Sequence, residues 1–196
     1  PNQWSLVGGF VDLVKDENLE ATAKRKLLEK TGVKTAYLEQ LASWGGANRD
    51  PRGWSATHVY FSILAIEDIQ TPKSGANTND AQWFDVLENG VSTALAFDHT
   101  EILATAINRL RSKVEYTSLP AFLMPELFTL KELQSAYEAV LARPLEKSAF
   151  RTRMLSTDLL EATPHYKEAA NRPAQLYRLK TKIDPIFFQR TFNPTK

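Results

Sequence analysis

Gly8-Gly9 opens a loop in the stretch Gly8–Val33, and the residues beyond it place charges at helical spacing. Arg25 and Glu29 lie four apart and can pair on one face. Lys26 and Lys30 share the same spacing, and seven residues separate Glu17 from Arg25. This is the layout of a loop and helix that handle a diphosphate. Metal-assisted hydrolysis at such a loop needs carboxylates, because magnesium is held by oxygen ligands and substrate phosphates. An ammonium offers three donors and no lone pair. Lys26 and Lys30 therefore repel a divalent cation and attract a diphosphate directly. The residues imply binding without metal and without catalytic groups. The plainer alternative is an amphipathic surface helix with solvated charges.

A second set of anion-binding types follows in Gly45–Trp54, GGANRDPRGW. Arg49 and Arg52 carry planar forks that can grip phosphate bidentately, which lysine cannot do. Trp54, Trp4 or Trp44 could stack on a nucleobase, although each taken singly reads as a core or rim residue. The elements that must position these groups are legible in outline. Leu19, Ala23 and Leu27 give an apolar helical face, closed by Gly32 as a left-handed cap. Leu38–Ser43, Ser55–Ile66 and Gln82–Phe84 read as strands. Thr71–Asp80 is loop-like. Asp98–Lys113 is a helix with Asp98 as its N-cap and a stripe of Ile102, Ala106 and Leu110. Val114–Pro125 reads as the connection between two domains, 1–114 and 115–196.

The second half carries a different chemistry. Phe128–Ala142 starts with Thr129 and Glu132, a capping box. Leu130, Leu133, Tyr137 and Leu141 line one side. Arg143-Pro144-Leu145 breaks the helix, and Glu146–Ser156 forms another, with Phe150 and Met154 inward. Two helices joined by a tight turn suit a helix-turn-helix. Lys147, Ser148, Arg151, Thr152 and Arg153 then face outward or along the rim, with cations for phosphates and forked donors for guanine edges. Asp158–Glu161 and Gln175–Lys180 read as strands of a hairpin. Its polar loop, Ala162–Ala174, carries Lys167, Asn171 and Arg172. A helix pair followed by a basic hairpin is a winged helix-turn-helix, which suits double-stranded DNA.

The chain of 196 residues is 43% apolar and 24% charged, as soluble globular proteins are. The net charge of +1 hides an asymmetry. Residues 1–124 hold 12 Lys/Arg against 15 Asp/Glu, and residues 125–196 hold 12 against 8. A basic second half fits a polyanionic partner. The absence of cysteine excludes disulfides and thiolate metal sites and fits a reducing, cytoplasmic setting. His58, His99 and His165 are scattered without metal-ligand spacing. No apolar run reaches the ~20 residues of a membrane span, and no signal-peptide pattern opens the chain.

Arg25-Lys26-Leu27-Leu28-Glu29-Lys30-Thr31-Gly32-Val33 resembles the second half of the Nudix box, with Lys26 and Lys30 in place of two core glutamates. The Gly9–Glu17 interval is two residues longer than that pattern. Arg49–Trp54 resembles the ADP-ribose-type members of the superfamily. Together with Gly8-Gly9-Phe10-Val11, Ala96-Phe97-Asp98-His99, Phe128–Leu133 and Asn171–Leu179, these segments resemble the NrtR family of Nudix-related transcriptional regulators of NAD metabolism. The resemblance covers nearly the whole chain. It implies an α+β protein, a Nudix-like α/β/α sandwich followed by a winged helix-turn-helix. A Nudix-like sheet needs strands upstream of Trp4, so residues preceding Pro1 are expected. The resemblance further implies a homodimeric repressor released from operator DNA by ADP-ribose. Gly8, Gly9, Phe10, Arg25, Glu29, Arg49, Arg52 and Trp54 are the expected effector site. Two other readings stay open. One is an active hydrolase of ADP-ribose, with Glu17, Glu29 and Asp80 supplying carboxylates. The other is a DNA-binding protein whose Nudix half serves only for dimerisation.

Overall fold

The structure is a computed structural model that describes residues 3–35, 37–64, 81–87, 90–168, 172–180 and 185–188. Ile66, Thr71–Asp80 and Asn171 lie outside the described residues. The chain falls into two compact units, one of Pro1–Ile63 and Asp68–Arg109, the other of Leu64–Glu67 and Leu110–Lys196.

In the first unit, helix α1 spans Leu19–Thr31. Asn18 caps its start by accepting from the Ala21 N–H, and Gly32 closes it in the left-handed region at φ 76°. The expected apolar face is only partly realised. Leu19 is exposed, and the buried positions are Thr22 and Thr31. Both hydroxyls bond inward: Thr22 donates to Asp16, and Thr31 donates to the Leu27 carbonyl. A polar residue stays buried here because every donor finds an acceptor.

Strands β1 (Tyr37–Gly46) and β2 (Ser55–Ile63) pair antiparallel from Tyr37–Ile63 to Gly46–Ser55. The register shifts between Gln40 and Ala42, and the bulged Leu41 is 4% exposed. β1 is longer than the expected Leu38–Ser43, because its pairing with β2 extends to the glycines. Gln82–Phe84 forms no strand; Phe84 instead meets Trp4 edge-on at 5.1 Å. Trp4 also bridges Leu95, and its carbonyl accepts from the Ala96 N–H at 2.8 Å. Helix α2 spans His99–Val114. Asp98 is not its side-chain cap, because both carboxylate oxygens go to Arg49.

In the second unit a 3-10 turn, Leu119–Leu123, follows the end of α2. Strand β3 (Phe128–Thr129) leads directly into helix α3 (Leu130–Leu141). The Thr129–Glu132 capping box forms as expected, with both reciprocal bonds present. Ala142 ends the helix in the left-handed region at φ 53°. The turn is fixed by Glu138, which accepts from the Leu145 N–H and from Gln134 at 2.8 and 2.9 Å. Helix α4 (Lys147–Leu155) follows.

Strands β4 (Leu160–Lys167) and β5 (Ala174–Leu179) make the wing, and β3 joins them in the order β3-β5-β4. The first wing strand runs six residues past the expected Glu161. Pro164 cannot donate to a ladder, but it sits in the register shift between Ala162 and Tyr166. The Gln175 amide bridges the gap by donating to the Thr163 and His165 carbonyls. β3 was hidden in the sequence because its two residues read as the helix start.

Phe128 and Leu133 are fully buried, with Leu130, Tyr137, Phe150 and Met154 around them. Leu133→Ala should cost ~2–5 kcal/mol of stability, as buried leucine truncations do. Thr129→Ala should cost ~1 kcal/mol through the lost cap. Urea unfolding of the two variants checks both, and the larger loss must fall on Leu133.

Candidate functional site

The Gly8–Glu17 loop is built around one buried carboxylate. Asp12 closes a turn by accepting from the Lys15 and Asp16 N–H groups through its carbonyl and from the Val14 N–H through its side chain. Asp16 then points inward, with its side chain 1% exposed. It accepts from Arg25 Nε at 2.6 Å, from the Thr22 hydroxyl at 2.9 Å and from the Asp12 N–H at 2.8 Å. The Arg25 guanidinium holds this carboxyl well below the usual carboxylate range and is itself pushed up by Asp16. The extra loop residues are thus folded into an Asp12–Asp16 turn. Asp16, not Glu17, receives the arginine, and Glu17 is exposed.

Arg25 also reaches Glu29 at 3.1 Å and the Phe10 carbonyl at 3.4 Å. Its donors are occupied within the loop, so it braces the site instead of presenting itself to a ligand. Lys26 pairs with Glu29 at 3.0 Å, and its stem lies over Gly9. A Cβ at Gly9 would come within 2.5 Å of Lys26 Cδ. A side chain there would make the Lys26 stem move aside. Glu29 is lowered by Lys26 first and Arg25 second. The surviving core glutamate thus already faces two cations. Lys30 has no carboxylate partner among the described residues.

Arg49 makes a two-point pair with Asp98, both bonds 2.9 Å, and donates to Ser55 Oγ at 3.1 Å. It ties the β1–β2 loop to the start of α2. Beside it, Phe97 adopts φ 57° and stays half exposed. His99 Nδ1 accepts from the Leu6 N–H at 3.0 Å, and burial lowers its pKa. Arg52 pairs with Asp50, two residues before it, at 2.7 Å, and is 75% exposed. Its guanidinium holds Asp50 down to about 2. Phe10 and Trp54 are 84% and 71% exposed, and the Trp54 ring lies over Gly45. Among the expected effector residues, Phe10 and Trp54 are presented outward and Arg52 is exposed although forked onto Asp50, while Arg25, Glu29 and Arg49 pair within the unit. Asp16 and Asp98 are the positioning residues the sequence reading missed. A cavity of about 260 Å³ lined by Leu87, Val91, Leu95 and Leu103 contains none of these side chains.

In the second unit, Phe150 and Met154 are 5% and 1% exposed, and Lys147, Ser148, Arg151, Thr152 and Arg153 are exposed. Lys147, Arg151 and Arg172 have no carboxylate partner among the described residues. Ser148 is engaged: the N-cap Glu146 accepts from its hydroxyl at 2.7 Å and from the Ser148 and Ala149 N–H groups. Lys167 is also engaged, with Glu132 at 2.6 Å, so it joins the wing to the capping box of α3. Arg153 lies over the Phe188 ring. A groove of about 580 Å³ runs between α3, α4 and the wing, lined in part by Lys131, Ser135, Lys147, Arg151 and Tyr166. Tyr166 went unnoticed in the sequence because the wing strand was placed too short, and Lys131 because it sits in the first turn of α3, outside the helix read as DNA-facing.

A glycine loop and helix in one unit and a winged helix-turn-helix in the other define a two-domain protein of Nudix and DNA-binding architecture. Residues 1–106 match the NUDIX domain, and residues 120–179 match the NrtR DNA-binding winged helix domain. The chain is 51% identical over 187 residues to the ADPR responsive transcriptional repressor NtrR of Acinetobacter baylyi, covering 95% of this chain and 74% of that protein. It is also similar to Shewanella oneidensis NrtR complexed with a 27mer DNA, at 40% identity and a TM-score of 0.81, covering 91% of this chain and 80% of that one. A further crystal structure of Shewanella oneidensis NrtR gives 39% identity and a TM-score of 0.84, covering 96% and 85%. The chain belongs to the NrtR family: a Nudix domain followed by a C-terminal winged helix domain.

The Asp16–Arg25 pair predicts an acid-labile first unit. A carboxylate with a depressed folded-state pKa stabilises fully above its unfolded value, about 3.9. That contribution is lost as pH falls through the lower folded value. Asp16→Asn should lower the melting temperature at neutral pH and flatten its dependence below about pH 4. Thermal melts of both proteins across an acid series check this.

Proposed function

We propose that this chain is a DNA-binding transcriptional repressor whose Nudix domain binds ADP-ribose without hydrolysing it and thereby releases the operator. The observation that carries the reading is the outward face of α4. It presents Lys147, Arg151 and Thr152 to solvent, with no carboxylate opposite the two cations among the described residues. The similar Acinetobacter baylyi protein is a repressor responsive to ADPR, and the similar Shewanella oneidensis protein is complexed with DNA. Both are relations of nearly the whole chain, which favours the same division of labour here. The resemblance to the NrtR family supports a role in the regulation of NAD metabolism.

Arg151 and Lys147 enter the major groove, and Arg172 serves the wing. Phosphate contacts set affinity and base contacts set preference. Arg52, Phe10 and Trp54 receive the effector. Glu29 is already neutralised by Arg25 and Lys26, which supports binding without magnesium and without turnover. The protein acts as a cytoplasmic homodimer on a two-fold related operator, because symmetric proteins read symmetric half-sites.

Two outcomes test this reading. Saturating ADP-ribose should weaken operator binding roughly 5- to 150-fold, and operator should weaken ADP-ribose by the same factor. Reciprocal anisotropy and calorimetric titrations measure both; equal operator affinity with and without ADP-ribose sinks the switch. AMP released from ADP-ribose and magnesium at about 10 per second would identify a hydrolase instead. In the same assays, Arg151→Ala should cost ~1–3 kcal/mol in operator binding. Arg52→Ala should weaken ADP-ribose and leave operator binding unchanged.

A further inference from the structure

Pro185–Phe188 is bound to the segment that follows α2. The Phe188 N–H donates to the Tyr116 carbonyl at 2.8 Å, and the Ser118 N–H donates to the Ile186 carbonyl at 2.9 Å. The Ile186 N–H donates to Ser118 Oγ at 2.8 Å. Thr117 and Phe187 form an antiparallel bridge, and the Tyr116 and Phe187 rings stack at 6.2 Å. The receiving segment is itself immobilised. Thr117 and Ser118 are 1% and 0% exposed. The Tyr137 hydroxyl donates to the Thr117 carbonyl at 3.0 Å, and the Thr117 hydroxyl donates to the Lys113 carbonyl at 2.7 Å.

Phe188 is 8% exposed and belongs to the core that holds Val114, Tyr137, Phe150 and Met154. On this ring lies the guanidinium of Arg153, 4.7 Å from the centroid. Arg153 follows Phe150 by three positions and precedes Met154 by one. It therefore stands on the flank of α4, between the buried face and the face of Ser148, Arg151, Thr152 and Leu155. Those four positions fall at i, i+3, i+4 and i+7 and make up the outward stripe.

We propose that Pro185–Phe188 is a strap that sets the position of the DNA-facing helix, with Arg153 as a positioning residue held by Phe188 and not a base reader. The inference rests on the DNA-binding reading above. A helix of nine residues is not stable by itself and takes its orientation from tertiary packing. Phe150 and Met154 anchor α4 on one side only. The cation–π contact adds a third anchor from a different part of the chain, and that part is bonded to the residues following α2. To reach a base edge, Arg153 would have to leave the ring.

The test uses the full chain with Phe188→Leu, which keeps the apolar volume but removes the aromatic face. Arg153→Lys keeps the charge, and the double variant closes the cycle. Each single change should weaken operator binding roughly 2- to 30-fold. The double variant should be no weaker than the worse single one. Arg153→Lys should leave the salt dependence as in the wild type, since no phosphate contact is lost. Hydrogen exchange at the amides of Phe150–Leu155 should rise in every variant. The exchange readout separates the two readings. A wild type that fails to bind any operator sinks the DNA reading, while faster α4 exchange in the variants still supports the strap. Wild-type exchange in α4 together with wild-type operator binding in both single variants overturns the strap. So does a change of preference at one base pair in Arg153→Lys with Phe188→Leu silent, because Arg153 is then a base reader.

Discussion

A carboxylate that leaves water must be matched by donors, and Asp16 meets that requirement with Arg25, Thr22 and a backbone N–H. The consequences spread through the first unit. Once Arg25 is committed to Asp16, it can brace Glu29 and the Phe10 carbonyl but has no donors left for a ligand. The same rule governs Arg49, whose forked pair with Asp98 fixes the β1–β2 loop against the start of α2. Bidentate arginine pairs are geometrically demanding as well as strong. Phe10 and Trp54 stay exposed, and Arg52, although forked onto Asp50, keeps an exposed side chain.

The second unit applies the same constraint at its surface. Glu132 completes the capping box of α3 and also accepts from Lys167 of the wing. One carboxylate therefore sets both the entry angle of a helix and the reach of a hairpin. Glu146 does the corresponding work at the start of α4. These pairings remove Lys167 and Ser148 from the free polar groups of the DNA face. Among the described residues of the proposed face, Lys147, Arg151 and Arg172 keep no carboxylate partner.

The sequence made some of this legible and hid the rest for physical reasons. Thr129 with Glu132, Gly32, and the Phe150–Met154 spacing each depend on local geometry, so they could be read from neighbours in the chain. The winged helix and its two helices followed from them. Partners far apart in sequence could not be read this way. Asp98 looked like a cap because aspartate favours that position, but a guanidinium 49 residues away outcompetes the backbone for it. Asp16 was passed over for Glu17 because the motif spacing counts residues and does not show how the extra ones fold. β4 was cut short at Glu161, although the bulge accommodates Pro164 and lets the strand run on. Leu19, Ala23 and Leu27 suggested a buried face, but α1 turns Leu19 outward, leaves Ala23 and Leu27 half-buried and puts threonines inside.

The lysines of α1 make physical sense in a sensor. An enzyme gains from interactions that strengthen in the transition state, whereas a receptor needs only to bind the ground state. Carboxylates holding magnesium serve the first purpose and would consume the signal. A cation in their place can neutralise a phosphate directly, with no metal to recruit and no activated water. Lys26 goes further by covering Gly9 and pairing with Glu29, so the substituted position also shapes the loop. Returning a carboxylate at position 26 would remove that cover. It would also set a second negative charge one turn from Glu29. The altered motif pairs Glu29 with Arg25 and Lys26. It is a site whose charges have been rebalanced around Glu29, and restoring one glutamate alone would unbalance it.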